Sequence, residues 1–322
     1  MSRRSCAIWL ALWCGFVLPA HVSAQLPAQL PAQLPASAQD DAPQSVPADD
    51  VRGLRLGIAP FASTSTLLRV HQPLRDHLTR VLGRKVMIYT SKDHEHFLDD
   101  ALAGDFDMVI TTVHFLPMMM EEGFVPLVRY KNPFYLMLVV KQDSDIRSVK
   151  DLRGRRIGLP DRLSLFHIAG LQWLESTGMK VDVDYALSEQ PSHMAGIFAV
   201  DHDRIDAAVI ARPVWLQLDA ETRIRFRMID AGGVRLPTMA TLAHRNLGED
   251  LVEQISAALL AFPDTPAGEA FFTRSGYGGY VKLLPAELDA GKDYEQLVRQ
   301  LWKPKAKGEL PHQPPLRAIG YE

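Results

Sequence analysis

Hydroxyl and imidazole side chains recur where an apolar, strand-like run gives way to a helical pattern. Ser63 and Thr64 follow L-R-L-G-I-A (Leu54–Ala59). Thr112 closes M-V-I-T-T (Met108–Thr112). Ser164 follows R-I-G-L-P, which begins at Arg156, and Ser192-His193 opens the helical pattern after the strand-like Val183–Ser188. Hydroxyls offer hydrogen bonds without burying a charge, and the free N–H groups and dipole of a helix start favour an anion beside them. A set of such positions suits a small tetrahedral oxyanion. Each hydroxyl equally reads as a plain helix cap, a place that favours Ser and Thr without any ligand. His193 can act there as a neutral donor or, protonated, as a clamp. Asp93-His94-Glu95-His96 is the one cluster with metal-ligand chemistry. Its two histidines are spaced i, i+2 and do not share a helical face, so no metal is expected. There is no G-x-S-x-G, H-E-x-x-H or Walker-type loop to argue for catalysis, and no cofactor is expected.

The elements that must position these residues centre on Ser148–Gly170. Ser148 caps a short helix carrying Val149 and Leu152, Gly154 stops it, and Arg156–Leu159 is a strand. A second helix begins at Ser164 and ends at Gly178. Before this stretch, strands are predicted at Leu54–Ala59, Lys85–Thr90, Met108–Thr112 and Phe124–Tyr130. Helices between them cover Thr64–Leu82, His96–Ala103 and His114–Glu122. Pro73 either kinks the first helix or marks its true start. This βαβ rhythm predicts a parallel sheet. Phe134–Val140 is a longer apolar strand. Val183–Ser188, Asp206–Ala211, Phe226–Asp230 and Thr238–His244 follow as strands, with Gly232-Gly233 as a break. Helices are expected at Pro191–Ala199, from Pro213, and at Glu249–Ala261, Gly268–Thr273 and Pro285–Trp302. A strand leaving the first α/β unit near Phe134 and one returning near Thr238 imply two lobes, two chain crossings and a cleft suited to hinge closure.

The chain has 322 residues, 47% hydrophobic and 23% charged, with a formal net charge of −3. That suits one large or two medium domains and gives no basic excess for nucleic acid. Arg3-Arg4, the apolar Ala7–Leu18 and the small-residue Val22-Ser23-Ala24 read as a secretory leader, 1–24, cleaved before Gln25. Export to the periplasm follows. Both cysteines, Cys6 and Cys14, lie in that leader, so the mature chain has no thiol chemistry. Q-L-P-A occurs three times from Gln25 to Ala36, and 25–51 reads as a disordered spacer. The tail 303–322 is basic and Pro-rich.

Particular stretches resemble a known family. S-V-K-D-L-R-G-R-R-I-G, from Ser148, is similar to the type 2 periplasmic binding fold. G-I-A-P-F-A-S-T-S-T-L-L-R-V-H-Q-P-L from Gly57, F-D-M-V-I-T-T-V-H-F-L from Phe106 and S-E-Q-P-S-H-M-A-G-I-F-A-V from Ser188 resemble the phosphate/phosphite/phosphonate binding proteins. The resemblance covers roughly Arg52–Pro285. It implies an α/β fold of two lobes, one formed by 52–133 plus 236–302 and the other by 134–235. It also implies a monomer that captures a small oxyanion or phosphorus-containing anion for the membrane permease of an ABC importer, without catalysis. A ligand-sensing domain docking a membrane sensor kinase or other receptor is the alternative. Carried over by position, the resemblance puts Ser63, Thr64, His94, Thr111, Thr112, Phe115, Tyr135, Ser164, Ser192 and His193 at the ligand. Two positions depart from the family pattern. Leu163-Ser164-Leu165-Phe166 stands where a hydroxyl-rich run is usual, and Ala211 replaces an acidic residue that meets the amine of amino-phosphonates. Arg162, in the departing loop, could replace lost hydroxyls with a bidentate clamp.

Overall fold

A computed structural model describes residues 52–303. The expected leader, the spacer and all of the tail beyond Lys303 lie outside the described residues. Two separate sheets divide the strands. The first takes β1 (Leu54–Ile58), β2 (Val86–Tyr89), β3 (Met108–Thr112), β4 (Phe124–Tyr130), β10 (Met239–His244) and β11 (Tyr280–Lys282), in the order β11-β4-β10-β3-β1-β2. The second takes β5 (Phe134–Lys141), β6 (Arg156–Leu159), β7 (Ala186–Glu189), β8 (Ala207–Ala211) and β9 (Phe226–Leu236), in the order β7-β6-β8-β5-β9. The chain passes from one sheet to the other between Tyr130 and Phe134 and returns between Leu236 and Met239. The two crossings run side by side, since Phe134 pairs with Leu236.

The sheets are mixed, not parallel throughout. β1 pairs in parallel with β2 and β3, but β10 inserts antiparallel between β3 and β4. In the second lobe β6 is parallel to β7 and β8, while β5 runs antiparallel to both β8 and β9. The reason is the double crossing. A strand that returns from the other lobe enters the sheet from the end where the βα units finish, so it runs opposite to its neighbours. The Gly232-Gly233 break does not end β9. Both glycines have positive φ, and the strand continues to Leu236 across a register shift opposite Tyr135–Met137.

Helices cover both sheets. In the first lobe these are α1 (Thr64–Leu82), α2 (His94–Leu102), α3 (Leu116–Glu121), α8 (Glu249–Ala261), α9 (Pro266–Ser275) and α10 (Pro285–Leu301). In the second they are α4 (Leu165–Ser176), α5 (His193–Asp201), α6 (Arg212–Gln217) and α7 (Ala220–Arg223). Pro73 lies inside α1, which runs unbroken through it and buries Leu67, Leu74 and Leu78. The expected strand at Val183–Ser188 begins later, at Ala186, because Lys180–Asp184 forms a turn. Ser148 and Asp151 form a capping box, though the element they start is only a 3₁₀ turn, Val149–Leu152.

One packing constraint gives a direct test. Gly268 opens α9 against the preceding turn, and a Cβ there would lie 1.8 Å from the Phe262 carbonyl oxygen. The obstacle is backbone and cannot rotate away. Gly268→Ala should therefore cost roughly 3 kcal/mol or more, read as a lowered denaturation midpoint.

Candidate functional site

A cavity of ≈ 30 Å³ lies between the lobes. Ala59, Phe61, His94, Thr112, Met239 and Tyr277 line it from the first lobe. Phe134, Ser164, Phe166, His193, Ala211, Pro213 and Val214 line it from the second. Nearly all these residues sit at strand ends or helix starts. Ala59 directly follows β1, Thr112 and Ala211 end β3 and β8, and Ser164, His193 and His94 stand at the starts of α4, α5 and α2. This is where α/β sheets hold ligands. The shut cavity is small, so a ligand enters when the lobes part.

The polar lining consists of histidine and hydroxyl side chains. His193 is buried, stands edge-on to Phe166 at 4.9 Å, and has an unpartnered Nδ1. Burial, then the neighbouring His94, push its pKa down to about 4 against the pull of the Val209 carbonyl. His94 is buried with its Nδ1 3.5 Å from Asp161 of the other lobe. Burial pushes Asp161 up, but the His94 ring and the Leu163 amide hold it below the usual carboxylate range. Ser164 caps α4, its Oγ accepting from the Phe166 amide at 3.3 Å. The Thr112 hydroxyl lies 2.8 Å from Nδ1 of His114, whose Nε2 lies 2.8 Å from the Leu163 carbonyl across the cleft. Burial lowers the His114 pKa to about 3.

The structure brings His94, Thr112, Ser164 and His193 together. It does not bring the other anticipated residues to the cavity. Ser63 and Thr64 are exposed; Ser63 caps α1, accepting from the Thr66 amide at 3.4 Å. Thr111 alternates to the opposite face of β3 and is fully buried. Phe115 is buried against His114 at 4.0 Å between ring centroids. Tyr135 packs in the second lobe's own cluster, with the Arg212 guanidinium 5.8 Å from its ring. Ser192 caps α5 through the Ala195 amide at 3.2 Å. The Asp93–His96 segment diverges: His96 turns back to Asp93 at 2.6 Å, while Glu95 reaches across the cleft to Arg162.

Arg162 is thus a bridge between lobes, not a free anion clamp. Its loop, 160–164, docks on the first lobe through three contacts: Arg162 with Glu95, Asp161 with His94, and the Leu163 carbonyl with His114. The Leu163 side chain is fully buried in the apolar cluster of Phe97, Phe115 and Met119, which Ile168 of α4 also joins. Sequence reasoning missed His114 and the aromatic wall of Phe61, Phe134, Phe166 and Tyr277. The T-x-H spacing at the end of β3 was the available signal for His114.

A model of the family described as ABC transporter, phosphonate, periplasmic substrate-binding protein matches residues 56–288. This chain belongs to that family. PhnD1 from Prochlorococcus marinus (MIT 9301), solved in complex with methylphosphonate, superposes with a TM-score of 0.67 at 15% identity, covering 77% of this chain and 97% of that one. A binding component of an ABC phosphonate transporter from Pseudomonas aeruginosa gives 0.65 at 14% identity, covering 77% and 86%. A Xanthomonas citri protein bound to ATP gives 0.59 at 17% identity, covering 77% and 97%. These likenesses establish the type 2 periplasmic binding fold, with two α/β lobes joined by two crossings.

Two outcomes follow from this geometry. Closure rests more on Leu163 than on the Arg162–Glu95 pair, because both charged side chains are partly exposed, at 39% and 27%, and such pairs contribute about 0–1 kcal/mol. Leu163→Ala should weaken ligand binding roughly tenfold or more through lost closure. Arg162→Met should weaken it by no more than about fivefold. Titration calorimetry on both variants reads the difference.

The second outcome is acid sensitivity. His71, between Phe61 and Phe271, is pushed by burial to about 4, as is His193, and His114 to about 3. These values lie below the ordinary value near 6.5, so the unfolded chain binds more protons between. Stability should be full above about pH 6.5 and fall as pH drops toward about 4, by up to about 1.4 kcal/mol per pH unit for each histidine. Denaturant melts across that range check it, and His71→Phe should make the slope shallower.

Proposed function

We propose that this chain is the periplasmic solute-binding subunit of an ABC importer and that it captures a small phosphorus-containing oxyanion between its lobes. One observation carries this reading beyond family membership. Polar groups at the starts of α2, α4 and α5 and at the end of β3 converge on one cavity from both lobes. The positive ends of the three helix dipoles, the Ser164 hydroxyl and an unpartnered His193 nitrogen are suited to anionic oxygens. The aromatic wall suits an apolar substituent on the anion. Ligand bound to both lobes stabilises the closed form, which is the form a permease can distinguish from the open one. Secretion by the 1–24 leader places the protein in the periplasm, where it meets the membrane permease. Its part is capture and release, without a chemical step.

His94, Thr112, Ser164 and His193 are the contact residues in this reading. Ser63, Thr64, Thr111, Phe115, Tyr135 and Ser192 hold helix starts and packing around them.

A thermal-shift screen tests it. Phosphate, phosphite, methylphosphonate, methanesulfonate, acetate and neutral or cationic solutes should be compared at equal concentration. At least one phosphorus anion should raise the melting temperature by mass action. A shift produced only by neutral or cationic solutes would overturn the proposal. With the ligand found, His193→Ala should weaken binding about tenfold or more. Ser63→Ala should leave affinity within about twofold and lower stability by about 1 kcal/mol, as loss of a helix cap does.

A further inference from the structure

The Thr112 hydroxyl is not free to donate to a ligand. The Leu163 carbonyl can only accept, so its 2.8 Å contact with His114 requires the proton on Nε2. His114 is fully buried and held neutral by that burial, so its Nδ1 carries a lone pair. Thr112 Oγ1, 2.8 Å away, therefore gives its single proton to the ring. What Thr112 presents to the cavity is lone pairs. Closure makes this assignment, because with the lobes apart His114 loses the carbonyl that fixes its tautomer.

The rest of the wall agrees with a ligand that brings its own proton. Among the described residues, no Lys, Arg, Asp or Glu lines the cavity. Charged side chains on the elements that line it have partners: Asp161 with His94, Glu95 with Arg162, and Arg212 over Tyr135. The Tyr277 hydroxyl meets Gln217. Full double charge on a bound anion would have no fixed counter-charge here, only His94 and His193.

We propose that Thr112, oriented by His114, is a specificity-determining residue that selects a singly protonated phosphorus oxyanion, such as a hydrogen phosphonate or hydrogen phosphite, over sulfonates and over fully deprotonated dianions. The P–OH of such a ligand donates to Thr112 Oγ1, and its remaining oxygens meet His193 and the helix-start N–H groups. A sulfonate or a dianion offers only lone pairs at that point. In a buried, low-dielectric cavity the resulting unsatisfied contact is costly. The inference rests on the proposed phosphorus-anion function and names the protonation state of its ligand.

Titration calorimetry at about pH 6, below the second ionisation of a phosphonate, compares two monoanions of similar shape. Methylphosphonate carries a P–OH and methanesulfonate carries none. Wild-type protein should bind methylphosphonate at least about tenfold more tightly. Thr112→Val keeps the side-chain shape and removes the lone pairs. It should lose about tenfold for methylphosphonate and nothing for methanesulfonate, so the preference collapses; a melt of the ligand-free variant confirms that it is folded. The wild-type comparison stands even if that variant is not. Equal binding of the two monoanions by wild type, or a full preference retained in folded Thr112→Val, overturns the inference and leaves the phosphorus-anion function intact. Failure of phosphate, phosphite and methylphosphonate alike to bind overturns that function and the inference with it.

Discussion

The hydrogen bond from His114 Nε2 to the Leu163 carbonyl crosses between the lobes at 2.8 Å, and much of the site depends on it. It exists only when the cleft is shut. It fixes the tautomer of a buried imidazole, and through that imidazole it sets the direction of the Thr112 hydroxyl. It also seats the 160–164 loop, bringing Asp161 to His94 and Arg162 to Glu95. One contact thus couples the closure of the molecule to the hydrogen-bonding character of its cavity. Its energetic support is apolar: Leu163 is buried with Phe97, Phe115 and Met119, so closing the cleft removes hydrophobic surface from water.

The cavity reconciles two demands. An anion site must offer enough polar partners to replace water. A cleft that opens and shuts must not leave bare charges facing one another when it is shut, because unpaired buried charge is expensive. Here the polar partners are histidine, hydroxyl and helix starts, and Arg162, Glu95 and Asp161 are engaged with partners across the cleft. The surrounding aromatic side chains exclude water and so strengthen the few polar contacts that remain.

Much of the architecture was legible in the sequence. The helix starts at Ser63 and Ser164 were marked by capping residues, while the helices expected from His96 and Pro191 begin at His94 and His193 behind the caps Asp93 and Ser192; the apolar runs at Leu54, Met108, Phe134 and Ala207 became central strands. The parallel sheet expected of the first four strands holds for β1, β2 and β3, but β10 inserts antiparallel between β3 and β4. Alternating strands and helices do report parallel neighbours, but a strand that returns from another lobe carries no local mark of its direction or position. β9 likewise ran through Gly232-Gly233, since pairing with β5 outweighed the local tendency of two glycines to break a strand.

The functional side chains divide in the same way. Sequence alone determined the chemistry available at each helix start, because capping preference is a property of a few neighbouring residues. It determined the two-lobed plan as well, because the crossings are written in the order of the elements. Only the tertiary structure decided which of those residues share a cavity. It sent Ser63 and Thr64 to solvent, Thr111 to the far face of β3 and Arg162 to Glu95, while adding Phe61, Phe134, Phe166 and Tyr277. It also committed the Thr112 proton to His114, leaving the hydroxyl's lone pairs for the cavity. The physical reason is that a hydroxyl has one proton, and where that proton points is set by a histidine whose own partner lies forty-nine residues away, on the other lobe.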